Sequence, residues 1–219
     1  RATSMKITTE EYTNDYLSCE VKFNKAGNRA WLGQPHLIKK LEKTFGEEVS
    51  HMKTYKTPGT PGQGITRPRE GDVTLPPERQ ARFQSGTGML LYLIKHSRPD
   101  IANAVCELTK VMDKAVEKDM QEMFRIIKHV LDTKHLGLKI CPKATNKLIW
   151  NIILWSDSDW GGDKDNRLSV SGMALSVCGV LVAWRSKQQK SVALSSSEAE
   201  LYAASEAVKE VIFIMQVLI

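Results

Sequence analysis

From Tyr16 to Phe23 apolar and polar positions alternate, with Leu17, Cys19, Val21 and Phe23 on one face and Tyr16, Ser18, Glu20 and Lys22 on the other. A period of two predicts a half-buried strand over 16–23. Lys25-Ala26-Gly27-Asn28 reads as a turn, and Ala30-Trp31-Leu32 as the returning partner of a β-hairpin. Pro35 stands where a helix begins, Leu37, Ile38, Leu41 and Phe45 mark its apolar face, and Gly46 reads as its end. Periodicity then disappears. Residues 54–78 carry Thr57-Pro58-Gly59-Thr60-Pro61-Gly62, then Pro68, Pro76 and Pro77, which predicts a long exposed connection.

Helical spacing returns in three segments. Phe83, Leu90, Leu91 and Ile94 predict a helix over 79–95, and Ile101, Val105, Leu108, Val111 and Met112 another over 98–113. Ser97-Arg98-Pro99-Asp100 reads as a capping box with an acid in the first turn. Met120, Met123, Phe124, Ile127, Val130 and Leu131 predict a third helix over 119–135, its methionines and phenylalanine serving as core. The period then changes. Leu148–Trp155 is apolar on both faces, which predicts a central strand. Residues 170–177 and 180–185 read as two more strands around Cys178-Gly179, and Ser195 opens a last helix. The fold class is therefore α+β: a hairpin and helices, then a three-stranded antiparallel sheet with one helix.

Composition excludes several classes. The chain has 219 residues, 42% hydrophobic and 26% charged, ordinary for a globular protein. No apolar run is long enough for a membrane span. Arg1-Ala2-Thr3-Ser4-Met5 resembles neither a signal peptide nor a native start, and both ends read as cut. Cys19, Cys106, Cys141 and Cys178 are widely spaced with no C-x-x-C pair, which argues against zinc and for free thiols in a reducing compartment. The net charge of +6 is uneven: residues 1–147 carry 25 basic and 17 acidic side chains, residues 148–219 carry 6 and 8. A basic part beside a mildly acidic one suits a nucleic-acid track leading to a metal site, although charge alone favours an ordinary solvated surface.

Asp157 follows the apolar strand, and Glu200 lies near the start of the last helix. Carboxylates from a strand end and a helix start are what two-metal phosphoryl chemistry needs, because hard oxygens hold Mg²⁺. Asp157 also fits a turn cap before Gly161-Gly162. Asp159 would share its face if the strand continued, although a loop position is the expectation, and Asp163 and Asp165 read as turn residues. Ser195-x-x-Glu198 is a capping box, which accounts for Glu198. Glu200 leads into Ala203, Ala204, Ala207, Val211 and Ile214 and is expected to top the buried stripe, facing the strand end. Trp160 and Trp184 are expected in core or lid positions.

The motifs S-D-S-D-W-G-G-D, S-V-S-G and W-R-S-K-Q-Q-K-S-V-A-L-S-S-S-E-A-E-L-Y-A, in this order, resemble the ribonuclease H segment of copia-type retrotransposon Pol polyproteins. Earlier segments are similar to the same family's reverse transcriptase downstream of its polymerase site: Asp15–Val21, Gln34-Pro35-His36-Leu37-Ile38, Thr57-Pro58, Leu91-Tyr92-Leu93, Arg98-Pro99-Asp100-Ile101 and Ala104-Val105. Ser18 replaces the family's usual Gly, and the 59–78 insert is unusual.

The resemblance implies a division into palm end and start of thumb (1–53), exposed linker (54–78), helical thumb or connection (79–147) and the N-terminal part of a ribonuclease H-like domain (148–219). It implies a primer grip at Tyr16 and Leu17. It further implies Asp157 and Glu200 as catalytic metal ligands for Mg²⁺, with Mn²⁺ as substitute. An RNA–DNA hybrid or other nucleic acid would be the partner, with Arg185, Lys187, Gln188 and Lys190 near phosphates or in a solvated strand edge. The remaining Pol polyprotein is a further implied partner, and the implied location is intracellular, in a cytoplasmic particle or the nucleus. The family uses a later third carboxylate, and neither it nor a polymerase Asp-Asp pair occurs here, so weak or absent activity in isolation is expected. A non-catalytic nucleic-acid-binding module and a decayed relic are the alternatives. Because the family pairs its first strand with a later one, Leu148–Trp155 is expected to form an exposed apolar edge, open to self-association.

Overall fold

The computed structural model describes residues 15–16, 18–60, 62, 64–143 and 149–218. The architecture is α+β, as the periodicities predict. In chain order the elements are β1 (Asp15–Tyr16), β2 (Cys19–Phe23), β3 (Ala30–Gly33), α1 (Pro35–Ser50), α2 (Pro77–His96), a 3₁₀ turn (Pro99–Ile101), α3 (Ala102–Thr109), α4 (Glu117–Asp132), β4 (Leu138–Ile140), β5 (Ile152–Asp159), β6 (Val170–Val177), β7 (Val180–Gln188) and α5 (Ser196–Leu218). One antiparallel sheet has the order β1-β2-β3-β4, the other β5-β6-β7.

The first predicted strand is two strands. Tyr16 pairs with Cys19 across a tight reversal, and Ser18 sits in the left-handed region at φ 61°. That conformation favours glycine, which gives a physical reason for glycine to be common at this position. Leu17 lies outside the described residues. β4 was not anticipated, since residues 79–147 read as helical. It pairs with β3, Ala30 against Ile140 and Leu32 against Leu138, and extends the expected hairpin to four strands.

Trp31 explains how β4 is seated. A side-chain carbon added at Gly137 would stand 2.4 Å from the Leu32 carbonyl oxygen and 2.8 Å from the Trp31 ring. The backbone oxygen is fixed by the sheet and has nowhere to move. Gly137→Ala is therefore expected to destabilise the chain by about 1–3 kcal/mol, as overpacking does. Urea unfolding followed by Trp fluorescence would measure this loss, and an unchanged midpoint would contradict the packing described.

The helices form the main core. Phe45, Phe83, Leu90, Leu93, Ile101, Val105, Leu108, Met120, Met123 and Ile127 belong to one buried cluster. The Met and Phe stripe of α4 is core, as predicted. Gly46 does not end α1: the helix runs on to Ser50 because Val49 extends the stripe of Ile38, Leu41 and Phe45 and is buried with it. The segment expected as a helix over 98–113 opens as the 3₁₀ turn and closes at Thr109. Its predicted capping box is absent. The Ser97 hydroxyl donates instead to the Gln34 side-chain carbonyl at 2.7 Å, and Asp100 is taken by Arg98. The connection over 54–76 has neither helix nor named strand among its described residues, yet it is pinned rather than loose. Arg125 donates to Gly59 O at 3.0 Å and to Thr60 Oγ1 at 2.8 Å, and Leu75 N to Ala115 O at 2.8 Å.

The second sheet is thinly packed. α5 lies on one face through Ala199, Ala203 and Ala207, and Leu175 is the large side chain fully buried beneath it. On the other face β7 meets the helices: Trp184 Nε1 donates to Ile94 O at 2.6 Å and Cys106 Sγ to Ser186 O at 3.2 Å. Trp184 is thus a fastener between sheet and helices. Cys106, Cys141 and Cys178 are free and half-buried, and Cys19 is buried. Among the described residues no helix is long and apolar enough to cross a membrane.

Candidate functional site

β5 begins at Ile152, later than predicted, and runs past Trp155 to Asp159. Leu148 lies outside the described residues. Because the strand continues, Asp157 does not end it, and Asp157 and Asp159 share one face. β5 is also not central: among the described residues it pairs with β6 alone, and Ile153 and Trp155 are exposed, the latter by 55%. Asp157 pairs in register with Gly172, where no side chain intrudes.

Both aspartates open onto a cavity of about 1210 Å³ between the helices and the sheet. Its opposite wall carries Asp100, Asn103 and Glu107, and its rim carries Arg67, Lys118, Lys164 and Arg167. Exposed basic groups beside these carboxylates can attract a phosphate backbone.

Glu200 approaches from the other direction. Ser158 N donates to Glu200 Oε1 at 3.2 Å, so the carboxylate sits on the outer edge of β5, at the residue following Asp157. The helix start explains this reach. Glu198 N donates to Ser195 Oγ at 3.1 Å, and Leu194 N donates to Glu198 Oε2 at 2.6 Å, the reciprocal cap expected of this motif. Ala199, not Glu200, tops the buried stripe; Glu200 stands on its exposed flank, one residue further round the helix.

The other anticipated residues are scattered. Arg185 Nη1 lies 3.4 Å from Glu210 Oε1 and Nη2 donates to Glu206 O at 3.5 Å, so its guanidinium faces α5. Gln188 donates to Asp163 Oδ2 and, at 3.5 Å, to Asn166 Oδ1. Lys187 and Lys190 are exposed. Tyr16 lies in β1, on the other sheet. Trp160 is half-exposed and donates Nε1 to Ala193 O at 3.0 Å, tying the β5–β6 turn to the segment before α5.

Asp163 has a larger role than a turn residue. Its side chain is buried. It accepts from Asp165 N at 2.9 Å and from Gln188, with Lys110 Nζ at 3.6 Å and Arg67 Nη1 at 3.7 Å. Burial alone would raise its carboxyl. The Asp165 amide, Lys110, Gln188 and Arg67 together hold it below the ordinary value of 3.8. This hub joins the connection, the end of α3 and the sheet, and frames one end of the cavity. Its reach across the chain carries no local sequence signal.

Asp157 and Glu200 supply hard oxygen donors of the kind Mg²⁺ takes. Among the described residues no group of three or more His, Cys, Asp or Glu side chains is arranged to hold a metal. The pair fits the donor chemistry but falls short of a full ligand set, so no reaction step is derived through a metal.

The class so defined is an α+β chain whose thin second sheet carries two aspartates on its first strand. Comparison with known proteins narrows it. The chain is 36% identical over 132 residues to a Plasmopara viticola protein named Secreted RxLR effector protein 161, covering 60% of this chain and 90% of that one. It is 28% identical over 212 residues to the retrovirus-related Pol polyprotein from transposon TNT 1-94 of Nicotiana tabacum, and 31% over 166 residues to that from transposon RE1 of Arabidopsis thaliana. These alignments cover 92% and 76% of this chain but only 15% and 11% of the polyproteins. The chain therefore belongs to one family with the Plasmopara protein, and over most of its length it is similar to a segment of the retrovirus-related Pol polyproteins of transposons. No family model and no solved structure matches it.

Proposed function

We propose that this chain is a fragment of a retrotransposon reverse transcriptase and ribonuclease H, with the primer-grip and thumb regions in residues 1–147 and the start of the ribonuclease H domain in 148–219. The observation that carries this reading is that Asp157 lines a cavity bordered by exposed basic side chains, while Glu200 reaches the same strand from the α5 side through Ser158 N. Asp157 and Glu200 are the carboxylates that this reading assigns to Mg²⁺, or to Mn²⁺ in its place. In this reading Asp157 faces the hybrid and Glu200 supports it from the strand edge. Lys118, Lys164 and Arg167 are better situated for phosphates than Arg185, which is engaged with α5, or Arg67, which is paired with Asp163 and Asp165. Two carboxylates are fewer than two-metal chemistry ordinarily draws on, so weak cleavage or none is expected from this chain alone.

The basic rim also supports a second reading, a non-catalytic nucleic-acid-binding module. Incubation with a labelled RNA–DNA hybrid and Mg²⁺ or Mn²⁺, beside Asp157→Asn, separates the two. Metal-dependent cleavage lost in the variant supports the nuclease. Binding that weakens steeply with salt and is untouched by Asp157→Asn supports the module. Neither cleavage nor binding above that of a comparably basic protein overturns both.

A further inference from the structure

The register of the first sheet sets Lys22, Trp31 and Lys139 in one row across β2, β3 and β4, Lys22 opposite Trp31 and Trp31 opposite Lys139. Successive residues of a strand face opposite ways, so this row shares a face with Glu20 and Gly33, while Val21, Leu32 and Leu138 line the other. The charges make the first a solvent face in its own right. Lys22 and Lys139 are exposed, as are Lys25 and Arg29 in the turn between β2 and β3. Its acids lie at the β1 end, where Asp15 pairs in register with Glu20. Glu20 stands 3.1 Å from Lys22 Nζ, an exposed pair that a competing anion can displace. Away from that end, among the described residues, the face is basic.

Trp31 does not stand up from this face. A side-chain carbon added at Gly33 would overlap its six-membered ring, and one at Gly137 would come within 2.8 Å of it. The indole therefore lies down in the space that two absent side chains leave, with one ring face turned to bare backbone and the other to solvent. It is half-buried in that posture, and Lys22 Nζ lies 5.5 Å from its ring centroid. Trp184 and Trp160, by contrast, are spent on fastening, each through its Nε1 donor.

We propose that this face binds single-stranded nucleic acid, with one unpaired base stacked on Trp31 and the phosphates on either side held by Lys22 and Lys139. Every base has a π-face, so an aromatic side chain set among cations takes a strand without regard to sequence. Lys22 and Lys139 lie two strand spacings apart, about 10 Å, and their long stems can close on one nucleotide from both sides. Lys25 and Arg29 continue the basic track to the hairpin tip. A base inside a duplex has both faces covered by its neighbours, so Trp31 selects for single strands. The surface uses none of the residues around the cavity, and the proposal does not rest on the nuclease reading.

Fluorescence anisotropy of a short labelled oligothymidylate titrated with the full chain tests it. Trp31→Leu should weaken binding roughly tenfold or more at every salt concentration, with the salt slope kept because no charge is lost. Trp31→Phe should fall between wild type and Trp31→Leu. Lys139→Ala should weaken binding and lower the salt slope by about one, with the aromatic ring in place. Circular dichroism shows whether each variant is folded, and Trp31→Phe and Lys139→Ala carry the test if Trp31→Leu is not. Affinity indifferent to Trp31→Leu and Trp31→Phe would reduce the face to a basic surface and overturn the proposal. So would a duplex of the same length bound as tightly as the single strand, or binding no stronger than that of a comparably basic protein.

Discussion

Replacing Arg98 with methionine should lower stability by on the order of 3 kcal/mol and the melting temperature by roughly 6–12 °C. Arg98 is the largest fully buried side chain, 1% exposed. Its guanidinium grips Asp100 in two parallel bonds, Nε to Oδ1 at 2.9 Å and Nη2 to Oδ2 at 2.8 Å. Nη2 also donates to Thr133 Oγ1 at 2.8 Å and Nη1 to Thr133 O at 3.3 Å, which closes the C-terminus of α4. Methionine keeps much of the volume and loses every donor. Thr133 Oγ1 would keep its bond to His129 O and Thr133 O its bond from Leu136 N, but both would lose the guanidinium, and Asp100 would lose its counter-ion. Water reaching the half-exposed Asp100 softens this, so the figure is taken from the low end for broken buried pairs. Arg98→Lys keeps the charge but not the fork and should fall between the two. Urea denaturation of the three proteins decides the matter. Equal stability of Arg98→Met and wild type would show that the buried fork contributes nothing.

Asp163→Asn is the second large effect, again on the order of 3 kcal/mol at neutral pH. The amide would turn a donor toward Gln188 and offer no charge to Lys110 or Arg67. Lys110 keeps Glu107 at 2.7 Å, which limits the damage on that side. The pH dependence gives the sharper test. Surrounding donors and cations hold the Asp163 carboxyl below 3.8 against the opposing effect of burial. A carboxyl lowered in the folded state stabilises above its unfolded value, and that contribution disappears as pH falls through the folded one. The gap between wild type and Asp163→Asn should therefore be full at pH 7 and close well below pH 3.8. Asp100, where burial raises and Arg98 lowers the carboxyl with a net downward result, adds to acid lability in the same window. Asp119 works in the opposite sense, since burial raises it. A gap that persisted unchanged in strong acid would show that Asp163 acts by shape and not by charge.

The helices were legible because their apolar stripes are long and strongly periodic, as in α4. The three strands of the second sheet were legible because Cys178-Gly179 punctuates two runs of matching length. β4 was missed because three residues give too short a pattern against a helical background. The end of α1 was misplaced because Gly46 was weighed as a stop and Val49, a full turn further, was not weighed as continued burial. At the candidate site, Glu198 was correctly separated from Glu200 by its capping spacing. The extension of β5 through Asp159 was not legible, since Ser, Asp, Ser and Asp are poor strand formers, and only pairing with Val170–Val177 holds them extended. The roles of Arg98 and Asp163 depend on contacts far apart in sequence, which no local pattern reports.

The alanine layer beneath α5 also sets the order in which the molecule comes apart. Methyl groups bury little area, so the helix is held to its sheet far less firmly than α4 is held among Phe45, Phe83 and Leu90. Opening of α5 from the sheet is thus a sub-global fluctuation, reached well before the helical core melts. In that opened form Glu200 leaves Ser158, so the carboxylate set beside β5 stays there only as firmly as the helix that carries it.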